Sequence, residues 1–302
     1  MIKSVGIVGM GALGLLYANW ILENSRDITV DFIMDENRLQ RNLKSDYTIN
    51  QQPVKFNLVA ANEAKPYDLL IVAVKATALA SALNTMKNAV NAKTTIISVL
   101  NGITSEEIIG QRYDSDQVLY AIAQGMDAVK MGTALTYSKR GHLLLGIKNE
   151  QQKARLQELT QFLDLVKVEH YVKDDIIHNL WAKFMLNVGI NQTCMVFDTN
   201  YGGALLPGKA HDTLIKAMEE VIELSKYEGI NLTYDELEAY IDLIGTLDPK
   251  GLPSMAQDAK NKRYSEVELF AGTVIKLADK YNLEVPVNHF LYQRIKEIES
   301  TY

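Results

Sequence analysis

Apolar and polar positions follow two different rhythms along the chain. Over roughly its first half, short runs of Val, Ile and Leu alternate with helical patterns. The runs at 5–8, 28–34, 69–74, 95–100 and 118–123 are apolar at nearly every position, which predicts strands buried on both faces. Between them, 13–23, 36–44, 78–90 and 105–111 read as helices. Strand and helix in alternation predict a doubly wound, mostly parallel sheet. A β-rich piece follows, in which 134–137 and 142–147 are expected to form a hairpin across 138–141. A helix at 151–163 and a short run at 166–171 close this half.

From Asp174 onward helical periodicity takes over, at 174–197, 209–228, 234–244, 254–261, 265–281 and 287–299. The change of texture places a domain boundary near Tyr171, giving an α/β domain over 1–171 and an all-α domain over 172–302. No internal repeat interrupts either half.

One stretch invites another reading. Residues 4–22 carry no charge, a length that would suit a signal or membrane segment. Four glycines fall in its first half and Asn19 interrupts the second, so a buried strand, a glycine turn and a buried helix explain it better. A soluble, cytoplasmic chain is therefore expected. The single cysteine, Cys194, supports neither a disulfide framework nor a cysteine zinc cage, and no metal site is expected. With 31 basic against 37 acidic residues the net charge is −6, which offers no basic field for nucleic acid or anionic lipid. Any anionic ligand must then be held by particular local groups.

Gly9-Met10-Gly11-Ala12-Leu13-Gly14 lies between the first strand and the first helix. In G-x-G-x-x-G the first glycine permits a tight turn, the second lets a pyrophosphate approach the backbone, and the third allows close helix–strand packing. The helix amino end supplies N–H donors. The second strand ends at Asp35, where an acid accepts from a ribose 2′-hydroxyl and repels a 2′-phosphate, favouring NAD; Arg38 can instead reach a 2′-phosphate. Two more strands run into polar groups, Lys75 and Asn101-Gly102, where open α/β sheets bind ligands. Lys75 can act as a cation there and Asn101 can orient a nicotinamide or substrate; a solvated lysine and a turn signal are the plainer explanations.

In the second half, 174–191 is an apolar helix crossed by Lys183, Asn187 and Asn191 at i, i+4 and i+8. A lysine in such surroundings suits proton transfer, and two carboxamides on its face can bind hydroxyl and carbonyl oxygens. His178, one turn earlier, reads as a surface or interdomain residue. Ser254 begins a helix and can cap it or contact a ligand. Ser265 and Glu268 match a capping box, leaving Glu266 without a capping role.

These blocks together resemble the ketopantoate reductase (2-dehydropantoate 2-reductase) family over nearly the whole chain. The carriers are the glycine turn, Val74-Lys75-Ala76, Asn101-Gly102, Trp181-Ala182-Lys183 with Asn187 and Asn191, Pro253-Ser254-Met255 with Gln257-Asp258, and Glu266 ahead of Gly272. The resemblance implies a Rossmann-type domain followed by a helical domain of the 6-phosphogluconate dehydrogenase C-terminal kind. It implies Lys183 as general acid and Glu266 as the glutamate that binds the substrate hydroxyl. Asn187 and Asn191 would hold hydroxyl groups and Ser254 the carboxylate, with Lys75 and Asn101 lining the site. It also implies NADP(H), whereas Asp35 stands where members preferring NADP usually carry a basic residue.

The expected activity is NAD(P)H-dependent reduction of 2-dehydropantoate to D-pantoate in pantothenate biosynthesis. The nearest alternative is a D-2-hydroxyacid dehydrogenase reducing other branched or aromatic 2-keto acids, as a related NADH-using branch does. A non-catalytic dinucleotide-sensing protein is a third reading, against which Lys183 and Glu266 both stand. A homodimer is compatible with a helical second domain.

Overall fold

The computed structural model describes every residue, Met1–Tyr302, and the apolar runs of the first half form strands in it. In chain order come β1 (Ser4–Val8), α1 (Ala12–Asn24), β2 (Thr29–Met34), α2 (Glu36–Asn42), and three short strands, β3 (Tyr47–Ile49), β4 (Gln52–Val54) and β5 (Asn57–Ala60). They are followed by β6 (Leu69–Val72), α3 (Leu79–Thr85), β7 (Thr95–Ser98), α4 (Ser105–Arg112) and β8 (Val118–Met126). The strands β9 (Val129–Met131), β10 (Ala134–Thr136) and β11 (Arg140–Gly146), with α5 (Lys153–Leu165) and β12 (His170–Val172), complete this half.

The main sheet runs β5-β2-β1-β6-β7-β8-β11-β12, with the first six strands parallel. Successive residues face opposite sides of it. Val5 and Ile7 of β1, Leu69 and Ile71 of β6 and Ile97 of β7 enter a core shared with Leu15 and Leu16 of α1 and Phe162 of α5. Val8, Leu70, Val72 and Ile96 enter another with Leu79 and Leu83 of α3 and Ile109 of α4. Burial on both faces is why these runs lack polar alternation. The charged exception is Asp31 on β2, which is buried and takes hydrogen bonds from the Tyr67 hydroxyl (2.7 Å) and the Asn57 amide (2.5 Å).

The expected hairpin does not form. β11 runs antiparallel to β8, and β10 lies in a separate four-stranded sheet, β4-β3-β10-β9. Asp127 accepts from the backbone N–H groups of Ser138 and Lys139 (2.8 and 2.7 Å) and from the Ser138 hydroxyl, so the link between β10 and β11 is tied back to the end of β8. β12 pairs with β11 through His170, Tyr171 and Val172, and Ile176 packs against Gly146 where a side chain would stand. The chain divides into two compact units, Met1–Ile176 and Ile177–Tyr302.

The second unit contains α6 (Ile176–Val196), whose first residue belongs to the first unit, then α7 (Tyr201–Leu205), α8 (Lys209–Tyr227), α9 (Tyr234–Gly245), α10 (Ser254–Lys260), α11 (Ala271–Tyr281) and α12 (Pro286–Glu299). The helix expected from 265 starts only at Ala271, and the capping box is absent. Ser265 gives both its N–H and its hydroxyl to Glu299, while the Ala271 N–H donates to the Gln192 carboxamide oxygen on α6 at 3.1 Å. Gln192 in turn donates to Val188 O (2.7 Å) and Asn288 Oδ1 (3.3 Å), and the Asn288 amide donates to Ala217 O and to Glu220. Gln192 and Asn288 are wholly buried, so this network joins α6, α8, α11 and α12 inside the core. No helix is long and apolar enough to cross a membrane.

Gln192→Leu would leave the Ala271 N–H without its partner and remove the bond to Asn288, so it is expected to cost about 2–4 kcal/mol in urea unfolding. A second expectation concerns Asp68, which accepts from Lys3 N–H, Ser4 N–H and the Ser4 hydroxyl at 2.8–3.0 Å. Burial works to raise its pKa, yet these donors hold the carboxyl below its ordinary value. A carboxyl lowered on folding stabilises fully above the unfolded value of about 4 and loses that contribution as pH falls through the folded value. The Tm gap between wild type and Asp68→Asn should be widest near neutrality and close in acid.

Candidate active site

In the first unit the glycine turn is pressed against the end of β6. Gly9 has φ +115°, and a Cβ there would overlap the Ala73 carbonyl and touch Val74 Cγ1 at 3.0 Å. A Cβ on Gly14 would overlap the Gly9 carbonyl. Gly11 differs, since a Cβ would meet only Ala73 O at an ordinary 3.5 Å. It is the exposed N-cap of α1, and no side chain caps the first N–H groups of that helix. Met10, Ala12 and Leu13 pack in part against the core below. The turn thus presents uncapped N–H donors to a surface without side chains, as a pyrophosphate needs.

The neighbouring strand ends carry the other expected groups. The Ala73 N–H donates to Val8 O (2.9 Å) and the Val99 N–H to Val72 O (3.0 Å), placing the ends of β1, β6 and β7 side by side. Lys75 is exposed two residues beyond Ala73, and Asn101 is half-buried ahead of Gly102. The order of the strands reverses between β1 and β6, the kind of crevice in which such sheets bind ligands. Asp35 caps α2 by accepting the Arg38 N–H at 2.9 Å, and the Arg38 guanidinium Nε lies 3.4 Å from the other Asp35 oxygen. Both side chains are about half exposed.

In the second unit the polar stripe of α6 is partly ordered by α10. The Ser254 hydroxyl donates to Asn191 Oδ1 (2.9 Å), which also faces the Met255 N–H at 3.4 Å. The Asn191 amide donates to Asn187 Oδ1 at 3.1 Å. The relay stops there: Asn187 Nδ2 is buried and has no hydrogen-bond partner. Lys183 is half-buried one turn earlier on the same face. Glu266 lies in the turn between α10 and α11, half-buried between the buried Ser265 and Val267. That turn ends at Phe270, whose ring packs 6.5 Å from that of Phe184, the residue after Lys183.

Asn187, Asn191 and Ser254 are therefore joined directly, as are the glycine turn and the strand end before Lys75. His178 is tied to Glu236 on α9 at 2.5 Å; burial works to raise the Glu236 carboxyl, but this bond and those from Thr233 hold it low. Cys194 is buried, which pushes its thiol up to about 12 and leaves it no thiolate character near neutrality. No group of His, Cys, Asp and Glu side chains is arranged to hold a metal ion. Two residues with a bearing on the site carried no assignment from the sequence, Gln192 and Glu299. The three consecutive polar residues Asn191-Gln192-Thr193 in an apolar helix were a usable signal for the first.

Two family models match the chain: "Ketopantoate reductase PanE/ApbA" over residues 5–150 and "Ketopantoate reductase PanE/ApbA C terminal" over 175–299. The 2-dehydropantoate 2-reductase of Lactococcus lactis is 24% identical, covering 98% of this chain and 97% of the relative. Among solved structures, D-mandelate dehydrogenase with NADH and anilino(oxo)acetate superposes with a TM-score of 0.87 at 22% identity, covering 99% of this chain and 98% of the other. A dimeric ketopantoate reductase from Staphylococcus aureus gives 0.81 at 20% identity, covering 99% of each. At these identities the structural likeness shows the fold alone.

Gly14→Ala should drive a methyl group into the Gly9 carbonyl and displace the turn. Binding of NADH and NADPH, followed by quenching of protein fluorescence, is expected to weaken at least tenfold, about 1.4 kcal/mol. Undiminished binding of both would show that the turn does not cradle a dinucleotide.

Proposed function

For a chain that belongs to the ketopantoate reductase family, an NAD(P)-dependent oxidoreductase, we propose the reduction of 2-dehydropantoate to D-pantoate, a step of pantothenate biosynthesis. The observation that carries this reading is the unsatisfied Asn187 amide at the end of the Ser254–Asn191–Asn187 relay, on the helix face that bears Lys183. A buried donor without a partner costs on the order of 1–3 kcal/mol. An oxygen-rich ligand removes that cost by accepting from it.

The cradle of Gly9, Gly11 and Gly14 suits a dinucleotide, with Met10, Ala12 and Leu13 completing the turn and Lys75 and Asn101 at the adjoining strand ends. When bound, the nicotinamide supplies the hydride that the C2 carbonyl carbon receives. Lys183 gives a proton to the carbonyl oxygen as negative charge develops there. Asn187 donates to a substrate oxygen and Asn191 holds its orientation. The Ser254 hydroxyl turns from Asn191 to the substrate carboxylate, while the Met255 N–H keeps the Asn191 oxygen partnered. Glu266 accepts from the substrate hydroxyl. Asn187 and Asn191 are ordered before the substrate arrives, which is where rate is gained.

A second reading, reduction of branched or aromatic 2-keto acids with NADH, is favoured by Asp35. Its carboxylate caps α2 at the end of β2 and would repel a 2′-phosphate, with Arg38 Nε 3.4 Å away. We infer from this that NADH is the better cofactor. We also infer that two copies associate, in keeping with the dimeric relative; a light-scattering mass of one chain would overturn that.

Steady-state kinetics with 2-dehydropantoate, 2-ketoisovalerate and phenylglyoxylate, each with NADH and NADPH, test the proposal. The highest kcat/KM is expected with 2-dehydropantoate, and a higher value for either of the others would transfer the assignment to the second reading. Lys183→Ala should lower kcat by about 100-fold or more, in the range that general acids contribute. Asp35→Ala should raise kcat/KM with NADPH relative to NADH by roughly tenfold, the worth of about 1.4 kcal/mol of repulsion; an unchanged ratio would remove Asp35 from cofactor selection.

A further inference from the structure

The turn that presents Glu266 is held from outside, by one face of α12. Tyr292, Lys296 and Glu299 are spaced four and three residues apart and so share that face. Glu299 Oε1 accepts the Ser265 N–H at 2.7 Å and the Ser265 hydroxyl at 2.6 Å. The Tyr292 hydroxyl donates to Glu268 Oε1 at 2.7 Å. Lys296 Nζ stands between the two carboxylates, 3.5 Å from Glu268 and 3.8 Å from Glu299. The residue before Glu266 and the second residue after it are thus tied to the same helix.

Glu299 is an expensive residue where it stands. It is the last residue of α12, at the negative end of the helix dipole, and only 4% exposed. Burial and the dipole both disfavour a carboxylate there. Two donors from Ser265 and the nearby Lys296 offset this, so the arrangement couples the charge of Glu299 to the backbone next to Glu266. We propose that Tyr292, Lys296 and Glu299 are positioning residues, a stripe that sets where Glu266 meets the substrate; this rests on the role given to Glu266 above.

The test is a double-mutant cycle on the full-length protein with the 2-keto acid it turns over best. Glu299→Ala is expected to lower kcat/KM about 10- to 100-fold, the scale of loss that follows a displacement of about 1 Å. The Kd for NADH should stay within twofold, and Glu299→Gln, which keeps an acceptor for Ser265, should recover most of the loss. Combined with Glu266→Gln, the Glu299→Ala change should cause no further loss, because positioning a group that is already disabled has no value. If the loss persists in full in the Glu266→Gln background, or cofactor affinity falls with it, the stripe does not act through Glu266 and the proposal fails while the role of Glu266 stands. If Glu266→Gln alone leaves kcat/KM unchanged, the role of Glu266 is wrong and the stripe falls with it. Where Glu299→Ala yields no folded protein, Tyr292→Phe removes a single hydroxyl and carries the same cycle.

Discussion

Helix α6 must be buried on most of its circumference and still carry polar side chains, and the second unit is arranged around that conflict. Trp181, Phe184, Met185, Val188 and Ile190 are all buried, which holds the helix in the core. Gln192 is buried with them and is fully used, accepting the first N–H of α11 and donating to α6 and to Asn288. The neighbouring row is treated differently: Ser254 and Asn191 form a relay that stops at an amide with nothing to bind. The core thus satisfies Gln192 and leaves the amide at the end of the adjacent row with a donor to offer. Satisfying Gln192 keeps the helix in register, and the open row then has a fixed place.

The same division explains what could be read from the sequence. Local features were legible: the buried strands, the glycine turn, the helix stripe and the strand ends at Lys75 and Asn101 all follow from residues a few positions apart. The misreadings share a cause in partners far along the chain. Ser265 and Glu268 have the spacing of a capping box, but the Ser265 hydroxyl is claimed by Glu299 and the Glu268 carboxylate by Tyr292. The expected pairing of 134–137 with 142–147 lost to β8, whose long run offers β11 a longer antiparallel partner. Gln192 lies off the i, i+4, i+8 stripe, and its partners Ala271 and Asn288 are far along the chain.

Asp35 shows how one carboxylate answers two demands. As N-cap it satisfies an orphan N–H at the start of α2, a local requirement met equally by Ser, Thr or Asn. Only the charge distinguishes it for a cofactor, and that charge also draws Arg38 to 3.4 Å. Because the pair is half exposed, solvent screens it, and neither partner is locked by the other. In the proposed reading cofactor preference is then a modest electrostatic bias at this strand end, and the glycine turn, with its steric demand, takes the part that NAD and NADP share.

Substrate choice depends on a different asymmetry. A keto group and a carboxylate are common to every 2-keto acid, so Lys183, Asn187, Asn191 and Ser254 in their proposed roles recognise the class and cannot select within it. Discrimination needs a group that only one substrate satisfies. In the proposed reading the hydroxyl of 2-dehydropantoate pairs with Glu266, and an aromatic keto acid offers that carboxylate no such hydroxyl. A site built to hydrogen-bond a substrate hydroxyl rejects the analogue lacking it by far larger factors than a misfit of one methylene, on the order of 10⁴ against 10–200. Such a penalty requires that Glu266 be unable to swing away to water. In that reading the ties on either side of it, from Ser265 to Glu299 and from Glu268 to Tyr292, restrain the backbone that carries it, which would make the rigidity of this turn a determinant of specificity.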